Sequence, residues 1–177
     1  AIAATPNHYG GDGTEGDIEA LYQAAIGAGY DLNCDGAYDE GTDVLPFLAS
    51  PSDPFSGTAG EGYDPTTPGG GTRGGMGFRE GAQPVLMYGT DSGIRDPDAG
   101  YPSPAGCPLD AGSSDLVAAI GDLGGVLLAV SVMGTGSETI MKNHAERTGS
   151  VGDTDGHGIG DDPLFFPWFG SIGTVRT

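Results

Sequence analysis

The chain is nearly without lysine. One Lys and five Arg stand against 18 Asp and 7 Glu in 177 residues, a net charge of −19. So poor in cations, it cannot build the phosphate-neutralising surface that nucleic acid requires. Anionic membrane surfaces are disfavoured for the same reason. Long apolar runs are missing too: the longest, such as Val126–Val130, fall far short of the ~20 residues a spanning helix needs. No basic stretch followed by an apolar one opens the chain, so any secretion signal would lie outside these residues. Cysteine is limited to Cys34 and Cys107, with no C-x-x-C and no Cys/His pair at zinc spacing. Both sit among Gly, Pro and Asp, where a buried free thiol is out of place. A single disulfide stapling two long loops in an oxidising setting is therefore expected, with two unrelated thiols as the plainer alternative.

Catalytic signatures are absent as well. Neither H-E-x-x-H nor G-x-S-x-G occurs, and His8, His144 and His157 fall in unrelated settings. Gly69–Gly74 satisfies G-x-G-x-x-G, but it precedes a strand pattern instead of following one and opening a helix, which argues against a dinucleotide site. With no nucleophile–base pair in view, a non-enzymatic role is expected.

What is abundant is Gly, at 35 residues, and Asp. Short carboxylates in flexible loops are what Ca²⁺ and Mg²⁺ use. The length fits one domain, residues 1–177, and the hydrophobic 37% is enough for a modest core. Ile18, Leu21, Tyr22 and Ala25 recur at i, i+3, i+4, i+7, predicting a helix over 16–26 with a capping box at Thr14–Asp17 and glycine stops at Gly27 and Gly29. Residues 27–76 then show no sustained period and read as a long loop insertion. Gln83–Tyr88 reads as a buried strand. Leu116, Ala119, Ile120 and Leu123 mark a second helix with Ser113 or Ser114 as N-cap. Gly125–Val132 is a continuous apolar strand of the kind parallel sheets bury, and Ser137 opens a third helix to about Arg147 with Ile140, Met141, His144 and Ala145 inward. Leu164–Phe169, broken by Pro167, reads as an edge strand or packed loop. This order predicts an α/β fold with a doubly wound, mostly parallel open sheet, whose ligands bind at the carboxyl ends of the strands.

Asp12-Gly13-Thr14-Glu15-Gly16-Asp17-Ile18-Glu19-Ala20-Leu21-Tyr22-Gln23, and Thr90-Asp91 directly after a hydrophobic strand, resemble the von Willebrand factor A domain, in particular its integrin-β-like branch. Taken singly, Glu15 is a favourable charge at a helix start and Asp91 a turn residue. The resemblance implies more: a metal-ion-dependent adhesion site with Glu15 and Asp91 as ligands and Asp12 serving a neighbouring cation. That site usually holds Mg²⁺, whose shell a partner's carboxylate completes. It spans roughly residues 9–26 and 77–150. The family's first strand and its D-x-S-x-S loop are not among the 177 residues, so the resemblance implies a domain seen incompletely.

Two further stretches point to Ca²⁺. Asp31, Asn33 and Asp35 follow the calcium-loop pattern D-x-[DN]-x-[DN]-G, with Asp39 at position nine and Asp43 one residue beyond position twelve. They resemble dockerin or thrombospondin type-3 loops more than a sensor EF-hand. Asp153 and Asp155 start a looser version that Asp161 and Asp162 can close; His157 reads as a turn residue. For both loops an Asx-rich turn without metal is the alternative. Together these features predict an extracellular or cell-surface domain that binds divalent cations and recognises a protein ligand or neighbouring subunits. A calcium-rigidified building block of a surface layer or filament, self-associating without ligand recognition, is the second expectation.

Overall fold

The computed structural model describes residues 14–27, 29, 31–36, 42–43, 73–101, 111–132 and 136–168. Asp12, Asp39 and Cys107, with most of the 27–76 insertion, lie outside the described residues. The elements run β1 (Thr14–Glu15), α1 (Asp17–Ile26), β2 (Val85–Thr90), β3 (Gly93–Ile94), α2 (Ser113–Leu123), β4 (Val126–Val132), α3 (Glu138–Arg147), β5 (Val151–Gly152), β6 (Asp162–Pro163) and β7 (Phe165–Trp168). The fold is α/β with mostly parallel strands. β4 is the centre of a three-stranded parallel sheet in the order β2-β4-β7, as its continuous apolar sequence predicts. Pro167 pairs opposite Ser131 on the edge strand β7, where a residue without an N–H is tolerated.

The register Leu86↔Leu127, Tyr88↔Ala129 and Ala129↔Phe165 puts these side chains on one face of the sheet. All are buried there with Ile18, Leu21 and Ala25 of α1, Leu116, Ala119, Ile120 and Leu123 of α2, and Met141 of α3. Each large apolar side chain buried in this way contributes about 1.5–3 kcal/mol. Both stripes read from the sequence are thus the faces that meet the sheet. Among the described residues the three helices lie on this one face, and Val85, Met87 and Phe166 on the other are exposed. Also among the described residues, no helix is long and apolar enough to cross a membrane.

Helix starts differ from the sequence expectation. Thr14 does not cap α1; it lies in β1, which pairs in parallel with β3, and Gly16 takes the cap position. Strand pairing has displaced the capping box. Likewise Gly112 caps α2, and Ser113 and Ser114 are its first helical residues. Gly27 ends α1 in the left-handed conformation (φ 65°), as expected.

Gly74 and Gly75 serve close packing against the end of α1. Arg73 and Phe78 exchange backbone hydrogen bonds of 3.1 and 2.7 Å, closing a tight turn. The turn's Gly75 and Met76 N–H groups donate to the last carbonyls of α1, at Ala25 (3.2 Å) and Ala24 (3.1 Å). A Cβ on Gly75 would overlap the Gln23 carbonyl oxygen and sit 2.6 Å from Gly27 N. Gly75→Ala is therefore expected to cost at least about 2 kcal/mol in urea unfolding; a change within about 0.5 kcal/mol would show that this approach is not held in solution.

Candidate functional site

Parallel pairing of Thr14–Glu15 with Gly93–Ile94 draws the start of α1 to the carboxyl end of β2. Arg95 N–H closes the junction on the Glu15 carbonyl at 2.9 Å. Glu15 and Asp91, distant in sequence, thereby share a neighbourhood, and the residue between them is one the sequence reading did not select. Asp17, in the first turn of α1, is half-buried, and its buried Oδ2 has no hydrogen-bond partner among the described residues. Burial, reinforced by the charges of Glu15 and Asp91, pushes its carboxyl up to about 6, although a hydrogen bond from the Thr90 hydroxyl pulls the other way. Glu15, Asp17 and Asp91 do not converge tightly enough to share one ion as they stand.

A tighter cluster lies in the loop pinched by the antiparallel pair β5–β6. Ligand atoms of Asp153, Asp155, His157 and Asp162 all fall within 4.8 Å of one another, an arrangement that could hold a metal ion. The local sequence explains the convergence. Asp153 accepts the N–H groups of Gly156 (2.8 Å) and Gly158 (3.0 Å), two glycines in the left-handed conformation that turn the chain back on itself. Asp162 accepts those of Thr154 (2.9 Å) and Asp155 (3.2 Å). The Thr154 N–H holds the Asp162 carboxyl below the usual carboxylate range. His157, taken from sequence as a turn residue, belongs to the cluster: its Nδ1 is 2.8 Å from Asp155 and 3.4 Å from Asp153. Asp161 stands outside it, 3.4 Å from His157 Nε2. The sequence signal for His157 was its place between the two carboxylate pairs.

In the first loop, Asp31 accepts N–H groups of Asp35 (3.3 Å) and Gly36 (2.8 Å). Asn33 bonds Asp35 through its Oδ1 and Nδ2, and Asp43 accepts the Leu32 N–H at 3.0 Å. The described part of this loop is an Asx-type turn that ties Asp43 back to Leu32. Cys34, at φ 59°, is a disulfide cysteine; its expected partner, Cys107, is outside the described residues.

The structure also builds a buried polar chain that no motif announced. Asp96 Oδ1 accepts the N–H groups of Asp98 (3.0 Å) and Ser113 (3.1 Å), and its Oδ2 takes the Ser113 hydroxyl at 2.5 Å. With its proton committed to Asp96, Ser113 Oγ accepts from His144 Nε2 at 2.7 Å. His144 Nδ1 then accepts from the Tyr88 hydroxyl at 3.2 Å. This order satisfies every member and fixes the imidazole in its Nε2–H form. Although the residue types are those of a hydrolase triad, the serine proton faces a carboxylate and not the imidazole, and Ser113 is only 6% exposed. The chain works as a clamp joining β2, the Pro97–Ala99 turn, α2 and α3. Burial pushes His144 down to about 4 against the opposing pull of Asp96, and burial raises the Tyr88 phenol.

The two shifted groups act in opposite directions. His144 falls from 6.5 to about 4, so its share of stability is complete above pH 6.5 and is lost as pH falls toward 4. Asp17 rises from 3.8 to about 6, so its share is present below pH 3.8 and lost as pH rises through 6. In EDTA at pH 7, Asp17→Asn is expected to stabilise by about 1–3 kcal/mol, a gain that fades toward pH 4. His144→Gln is expected to cost about 2–3 kcal/mol at pH 7 and to leave a chain that gains stability on acidification. Urea unfolding across pH 4–7 measures both, and unchanged pH slopes in the two variants would contradict the assignments. Compared with family models, with curated proteins and with solved structures, the chain matches none.

Proposed function

We propose that this chain is a divalent-cation-binding adhesion or assembly domain of von Willebrand factor A-like architecture. It would work outside the cell or at its surface and recognise a protein ligand through a metal-dependent site at the carboxyl end of β2. The observation that carries the reading is electrostatic. Two carboxylates picked out by the resemblance, Glu15 and Asp91, both act on the half-buried Asp17, whose buried Oδ2 has no hydrogen-bond partner among the described residues. Like charges brought together at a strand end are relieved by a hard cation. Mg²⁺ suits that place, since it keeps waters that a partner's carboxylate can replace. Ca²⁺, with its larger and more flexible shell, suits the Asp153–Asp162 loop and the Asp31–Asp43 loop.

A second reading has its own support. The converged group is at Asp153, Asp155, His157 and Asp162, not at Glu15 and Asp91. That favours Ca²⁺ as a loop-stiffening ion in a structural subunit of a layer or filament, self-associating without recognition of a separate ligand.

Thermal unfolding in EDTA, then with millimolar Ca²⁺ or Mg²⁺, separates the two. A hundredfold excess of ion over its dissociation constant stabilises by ~2.7 kcal/mol, or roughly 5–10 °C for a chain of this size. The Ca²⁺ increment should vanish in Asp153→Asn/Asp162→Asn. An additional Mg²⁺ increment that vanishes in Glu15→Ala/Asp91→Ala supports the adhesion reading. A Ca²⁺ increment without one for Mg²⁺ supports the structural subunit, and no response to either ion sinks both.

A further inference from the structure

A cleft of about 310 Å³ opens between the Pro97–Ala99 turn, the first turn of α2 and one face of α3. This is the small end of the range for ligand pockets. Its floor is the buried clamp: Asp96 and Ser113, each 6% exposed, line it. Thr139, Asn143 and Arg147 form one wall, spaced i, i+4, i+8 along α3 so that all three present donors to the same side. Asp98 stands in the opposite wall, held below the usual carboxylate range by the Ser114 N–H and hydroxyl. Ile140 supplies an apolar surface between them.

Arg147 is the unusual member. In a chain with 25 acidic and 6 basic residues, a basic side chain should find a carboxylate easily. Arg73 is spent on the carbonyls of Ala82 and Leu123, and Lys142 lies over the Phe165 ring at 5.0 Å. Arg147 makes no hydrogen bond or ion pair with any described residue. It is close enough for its charge to act on Asp98 and His144, and it leaves its planar fork of donors facing the cleft.

We propose that this cleft binds a small zwitterion of the α-amino-acid class. The ligand's carboxylate meets the Arg147 guanidinium, with Asn143 and Thr139 as neutral donors beside it. Its ammonium meets Asp98, which has used only part of its acceptor capacity on Ser114. The ligand's carbon lies against Ile140. Phosphorylated ligands are repelled by Asp96 and Asp98, and a neutral polyol leaves both charged walls without a counter-charge, so the pairing of walls selects for a molecule carrying both signs.

Calorimetric titration with L-alanine in EDTA tests this independently of any metal. Acetate, methylammonium and glucose serve as the anionic half, the cationic half and the neutral comparison. L-alanine is expected to bind more tightly than acetate, methylammonium or glucose, and Arg147→Gln to weaken it by at least about tenfold. Asp98→Asn should weaken it too, but Asp98 also caps α2, so the exposed Arg147 is the deciding variant. Absence of L-alanine binding, equal binding by Arg147→Gln, or glucose binding as well as L-alanine would each overturn the proposal.

Discussion

Everything in this molecule answers to one constraint: carboxylates far outnumber cations, so most negative charges must be stabilised by something other than a basic side chain. The structure uses backbone N–H groups. Asp96 and Asp98 take the first amides of α2 from Ser113 and Ser114, and Asp115 takes that of Gly112. Glu19 on α1 takes the Ala111 N–H at 2.9 Å, tying α1 to the segment before α2. Asp31, Asp153 and Asp162 each gather two. Hydrogen bonds to charged acceptors of this kind are shorter and stronger than those between neutral groups. Glycine abundance belongs to the same solution, because a loop must turn its amides inward to present them.

Backbone amides do not relieve every crowding of carboxylates, and those places are where function is proposed. Asp17 keeps a buried oxygen without a hydrogen-bond partner among the described residues, near two other carboxylates. Three aspartates and a histidine crowd together where the loop after β5 returns to β6. At the Asp96 end the chain is instead over-determined: Asp96, Ser113, His144 and Tyr88 satisfy one another in a single order, which fixes the relation of α3 to β2 and gives the cleft above it a rigid floor.

The sequence made the scaffold legible because apolar spacing is a local property. Leu116, Ala119, Ile120 and Leu123 could face only one way, and Val126–Val132 could sit only at the sheet centre. Helix starts were misread at Thr14 and Ser113 because cap propensity is weak beside strand pairing and a neighbouring carboxylate. The candidate site was half legible. Glu15, Asp91, Asp153, Asp155 and Asp162 follow from pattern, whereas Asp17 and His157 matter only through what lies near them in space. The His144 clamp was out of reach for the same reason. Its four members are spread from Tyr88 to His144 and meet only when β2, α2 and α3 pack.

The central claim is that hard cations neutralise carboxylates crowded together beyond what backbone amides offset. Equilibrium dialysis against Ca²⁺ at physiological ionic strength, counting ions bound per chain, tests it most directly. The account predicts at least one ion retained when monovalent salt is raised, since a multidentate site resists screening. Binding that is absent, or that disappears with added salt as a diffuse counter-ion cloud would, contradicts it.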